Sequence, residues 1–133
     1  MAPDRTGLYT AVGAGALGLA GALTYIGLND PHRPGSVFPP CPFKTLTGWD
    51  CPGCGGLRMT HDLLHGDLAA AVQDNVYLLV GIPLLLVWVL LRRVRRRAVF
   101  TWWAGAVILV TAVAWTVVRN VTGFPLVPTL LQA

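Results

Sequence analysis

Val76-Tyr-Leu-Leu-Val-Gly-Ile-Pro83-Leu-Leu-Leu-Val-Trp-Val-Leu-Leu91, followed at once by Arg92-Arg93-Val94-Arg95-Arg96-Arg97, decides the fold class. The first part carries no charge, and five of the ten basic residues of the chain stand in the second. At a rise of about 1.5 Å per residue, crossing a hydrocarbon core about 30 Å thick takes about 20 residues. The apolar run is therefore short and must borrow from the half-polar stretch before it, which sets a span at about 68–91. Pro83 lies inside that span and predicts a kink. Arginines packed between two apolar stretches mark a cytoplasmic loop, because translocating such charges is unfavourable.

Working outward, Val99–Val118 is again free of charge and opens on Trp102 and Trp103. Arg119 and Asn120 end this span at about 99–118. Gly123, Pro125 and Pro128 stop its continuation, so the last residues read as an interfacial tail. Toward the N-terminus, Gly7–Leu28 is a third charge-free stretch. It is too long for the apolar part of a signal peptide, and Tyr25-Ile-Gly-Leu-Asn29 offers no small-x-small cleavage site, so it reads as a permanent helix. Ala14, Gly18 and Ala22, like Ala11 and Gly15, recur at four-residue spacing. Such a face lets another helix approach closely and could dock a membrane partner, although lipid also tolerates Gly and Ala.

These readings predict an all-α membrane protein forming a single domain over 1–133. Its three transmembrane helices lie near 7–28, 68–91 and 99–118 and pack through the small face of the first. With the arginines in the cytoplasm, the N-terminus lies inside. The connection at 29–67 and the C-terminus lie outside. Composition agrees, with 54% apolar residues, 12% charged and no glutamate. The charged share is about half that of a soluble domain. The basic excess is confined to one loop without interleaved aromatic or polar groups, which excludes a nucleic-acid face.

The chemistry is concentrated in the connection, where all three cysteines fall: Cys41, Cys51 and Cys54. An odd number cannot be paired fully within the chain. Pro39, Pro40 and Pro42 are expected to keep the approach to them extended. Phe43 and Trp49 are candidates for headgroup anchoring. Cys51-Pro-Gly-Cys54-Gly resembles a zinc knuckle, with Cys41 as third ligand across a loop of intervening residues. The next residues, about 55–65, have helical period and predict a short amphipathic helix in the interface, apolar side down. Cys54, Arg58, His61, Asp62 and His65 share its polar side. His61 and His65 are candidates for the remaining metal ligand, or else occupants of a wet helix face.

A redox reading competes. A Cys-x-x-Cys pair at a helix start can have a nucleophilic Cys51 and a resolving Cys54, and a plain disulfide is the structural version. Arg58 could pair with a thiolate, with Asp62 or with a lipid phosphate, or simply snorkel. Gly66 suits the position after a helix end, and Asp67 the N-cap of the next helix. Asp74 and Asn75 stand near the entry of the second span, where capping or solvation accounts for them as well as function does. No Ser-His-Asp grouping, paired carboxylates or phosphate-binding glycine loop can be read. The enzymatic inventory is thin.

Cys41-Pro-Phe-x-x-Leu-Thr-Gly-x-x-Cys51-Pro-Gly-Cys54-Gly-x-x-Arg58, with His65-Gly-Asp67-Leu-Ala-Ala-Ala and Asn75, resembles a bacterial family of small integral membrane proteins catalogued as a domain of unknown function. The likeness spans about Cys41 to Asn75. It implies a multi-pass protein of the bacterial cell membrane with a cysteine-rich connection, and it implies no reaction, substrate or ligand. The expected role is a non-enzymatic accessory or scaffold protein whose cysteines bind zinc or form a disulfide. The alternative is a membrane thiol-disulfide oxidoreductase or metal-handling protein using Cys51 and Cys54.

Overall fold

Among the described residues five helices follow one another: α1 (Arg5–Leu28), α2 (Pro42–Thr47), α3 (Gly56–Leu64), α4 (Leu68–Val94) and α5 (Trp102–Arg119). The structure, a computed structural model, describes residues 5–99 and 101–121. The expected C-terminal tail lies outside the described residues. Helices α1, α4 and α5 are long and apolar enough to cross a membrane, which bears out the three-span architecture with the cysteines between the first two spans.

The capping signals between α3 and α4 act as their chemistry requires. Gly66 takes the left-handed φ of 80° just past His65, the C-cap of α3. The Asp67 carboxylate then accepts the Ala70 N–H at 3.0 Å to start α4.

Helix α4 is interrupted at Asn75, which is extended at φ −161°, ψ 83°, whereas Pro83 keeps helical torsions. The break in the backbone torsions of α4 thus lies eight residues before the proline. Asn75 restarts the helix itself: its Oδ1 accepts the Leu78 N–H at 3.0 Å, as an N-cap does. Its carboxamide N–H groups are thereby freed to reach the connection.

Helix α3 lies against the first turns of α4 and the end of α1. Its orientation refines the expectation from its periodicity. Leu57, Leu63 and Leu64 are exposed, as an apolar side directed at lipid requires. The polar side is wet only at its end: Asp62 is buried and Arg58 and His61 are half-buried against the other elements, whereas His65 is exposed.

The spans touch sparingly. Tyr77 of α4 donates or accepts a hydrogen bond with Thr111 of α5 at 3.1 Å and stacks on Trp115. The small face of α1 was expected to pack the bundle together, and it does not. A Cβ placed at Gly13, Gly15, Gly18 or Gly21 meets nothing within 4 Å among the described residues. Helix α1 is held instead at its end, where Gly27 meets Leu64 and the Ile26 carbonyl receives His61.

Candidate functional site

The connection between α1 and α4 folds back so that its three thiols meet. Cys51 Sγ lies 2.9 Å from Cys54 Sγ and 3.5 Å from Cys41 Sγ, all three being free thiols. The segment expected to be a loop between Cys41 and Cys51 is in part helical. Pro42 opens α2 at a position where a missing N–H costs nothing, and Gly48 closes it at φ 75°. This turn returns the chain to Asp50, and Lys44 Nζ donates to Asp50 Oδ1 at 2.9 Å across it.

Two spans grip the knuckle from below through its carbonyls. Asn75 Nδ2 donates to Pro52 O and Cys54 O, both at 3.0 Å. The buried Arg119 guanidinium at the end of α5 donates to Cys54 O at 2.6 Å and to Asp74 O at 3.0 Å. Gly55, at φ 83°, lets the chain pass directly over α4: a Cβ there would stand 2.5 Å from Asp74 O. Only glycine satisfies both the torsion and the approach.

The thiols differ in character. Backbone N–H groups at the first turn of α2, that of Lys44 foremost, lower the pKa of Cys41. Burial, reinforced by the adjacent Cys51 thiol, pushes Cys54 up to about 12. Without a cation, Cys54 stays protonated.

The sequence-derived candidates separate into two neighbourhoods. The sulfurs of Cys41, Cys51 and Cys54 lie within 4.8 Å of one another, and no histidine joins that group. His61 Nδ1 engages the Ile26 carbonyl at 2.8 Å, and His65 Nδ1 engages the His61 carbonyl at 2.8 Å. The structure therefore does not bring either histidine to the sulfurs. Arg58 lines the groove shared with the cysteines but turns toward Asp74, with Nη1 at 4.0 Å from Oδ1. Asp67 caps α4, and Asn75 proves to be a buried clamp.

Four further residues of the site, Arg119, Asn120, Asp50 and His32, are not among the sequence-derived candidates. The carboxamide of Asn120 accepts the Asp50 N–H and donates to the Asp50 carbonyl, each at 2.9 Å. His32 sits among Asp30, Asp62 and Asp74. A charged or polar residue closing an apolar span was the available signal for Arg119 and Asn120. For His32 the sequence held none beyond its presence in the connection.

A family model described as "Protein of unknown function (DUF2752)" matches residues 41–89. The match takes in the three cysteines, Arg58, α3 and most of α4, and leaves out α1 and the α5 residues that grip the knuckle. No curated protein and no solved structure matches the chain.

Proposed function

We propose that this polytopic membrane protein is a non-enzymatic accessory or scaffold protein whose Cys41, Cys51 and Cys54 hold one metal ion, zinc by preference. The observation that carries the reading is the double clamp of Arg119 and Asn75 on the knuckle carbonyls. A site fastened by two spans serves rigidity, and opening it for turnover would strip buried polar groups of their partners.

The donor set fits the ion. Thiolates around tetrahedral zinc stand about 3.8 Å apart. The sulfurs at 2.9 and 3.5 Å therefore need to spread by about 1 Å at most. Zinc would deprotonate Cys54 against the effect of burial. The resulting anionic centre would stand near the buried Arg119 cation. Three protein ligands leave the fourth position to water or to a group from a docked partner. The open glycine face of α1 is the surface for a membrane partner. The family likeness supports residence in a bacterial cell membrane, and the arginine run favours the N-terminus inside and the cysteines outside.

A second reading rests on the 2.9 Å contact of Cys51 with Cys54. That pair needs only a small approach to form a disulfide of about 2.05 Å, as a thiol oxidoreductase would require. One experiment separates the readings: metal analysis of protein purified without chelators, with thiols counted after denaturation. One zinc and three titratable thiols are expected. One thiol and no metal would favour the redox protein, as would capture of a mixed disulfide through Cys51 in a Cys54→Ser variant.

A further inference from the structure

We infer that His32, Asp62 and Asp74 form a second, sulfur-free site for a divalent transition cation, such as manganese or zinc. One donor atom from each lies within 4.8 Å of the other two. His32 Nε2 stands 3.0 Å from Asp74 Oδ2 and 3.7 Å from Asp62 Oδ2. Ligand atoms around an ion with bonds of about 2.1 Å stand about 3.0–3.5 Å apart, so the triangle is nearly the size required.

The hydrogen bonds point the same way. The Asp30 carboxylate accepts the His32 backbone N–H at 2.9 Å and lies 3.0 Å from Nδ1 of the ring. A proton held on Nδ1 by Asp30 leaves the Nε2 lone pair aimed at two carboxylates. This is the carboxylate–histidine arrangement that orients imidazole ligands toward metals.

A proton on Nε2 would satisfy Asp74 Oδ2 and nothing else. Asp62 Oδ2 and Asp74 Oδ1 are both buried without a hydrogen-bond partner. Arg58 Nη1 comes only to 4.0 Å of Asp74, and it too lacks a hydrogen bond. Two buried carboxylates with free oxygens facing one imidazole are costly alone, and a divalent cation compensates both.

Nitrogen and carboxylate donors suit manganese, which thiolates bind poorly, so the probe distinguishes this site from the cysteines. The full chain in detergent, stripped with chelator, is titrated with Mn²⁺ and free ion followed by electron paramagnetic resonance. Cobalt titration reports the sulfurs separately through thiolate-to-metal absorption. One Mn²⁺ per wild-type chain is expected. Affinity should fall by at least about 10-fold in His32→Gln and in Asp62→Asn, and by about 10-fold in Asp30→Asn. The cobalt–thiolate band should persist in His32→Gln, which also reports an intact fold. Absence of Mn²⁺ binding by the wild type, or wild-type affinity in both His32→Gln and Asp62→Asn, would overturn the site. So would Mn²⁺ binding that disappears only when the cysteines are alkylated.

Discussion

The side chain of Asn120 pairs with both backbone groups of Asp50, seventy residues earlier in the chain. A carboxamide that accepts from an N–H and donates to the carbonyl of the same residue fixes position and orientation together. The end of α5 thereby sets where α2 hands the chain on to Cys51. Arg119, the preceding residue, holds the far side of the knuckle at Cys54. The cysteine cluster is thus tied to a span that contributes no cysteine.

Replacing Asn120 by alanine should remove this pairing at a cost of about 1–3 kcal/mol, since a buried backbone group is left without a partner. Thermal unfolding in detergent should show the loss. Cys41 and Cys51 should also alkylate faster in Asn120→Ala at a temperature where the fold persists. Unchanged melting and unchanged alkylation would show that the pairing holds nothing.

Gly55→Ala should be far more damaging than its size suggests. The new methyl would meet the Asp74 carbonyl at 2.5 Å on a backbone with positive φ. A loss of about 3 kcal/mol or more is expected, seen as low abundance or a fall in melting temperature. Gly15→Ala on the open face of α1 is the control and should stay within about 0.5 kcal/mol.

The three thiols should alkylate in order when no metal is bound. Cys41, whose thiolate is favoured by the N–H groups of α2, should react at the lowest pH. Cys54, raised to about 12 by burial, should react last. Mass spectrometry of iodoacetamide-treated protein across a pH series reads the order directly. Cys54 labelling ahead of Cys41 would contradict the environments described.

In metal-free protein, Asp62 should make the fold less stable as pH rises. Its folded pKa of about 6 stands above the ordinary 3.8. Its contribution is therefore fully present below pH 3.8 and is lost as pH rises through 6, to the extent of about 3 kcal/mol at most. The difference between wild type and Asp62→Asn, followed by unfolding from pH 4 to 7, isolates this residue. A difference that does not change over that window would remove Asp62 as its source.

The arginine run predicts the orientation. A cysteine introduced as Arg95→Cys should take up no label from a membrane-impermeant thiol reagent applied to intact cells beyond that of the wild type. Added labelling would invert the topology.

The sequence by itself determined the spans, because an apolar run of sufficient length has one low-energy place in a bilayer, whatever it packs against. It also determined the local caps, such as Asp67 on Ala70, since those bonds close within one turn. The meeting of Cys51 and Cys54 followed from their spacing, and that of Cys41 was legible as an expectation. The break of α4 at Asn75 was not legible beside the local signal of Pro83, because it depends on Asn75 both capping the restarted helix and holding the knuckle. His32 with Asp74, and Arg119 with Cys54, are 42 and 65 residues apart in the chain. No periodicity encodes such pairs. Tertiary structure alone decided them, because burying each polar group near the membrane required a partner and the packed ends of the spans supplied it.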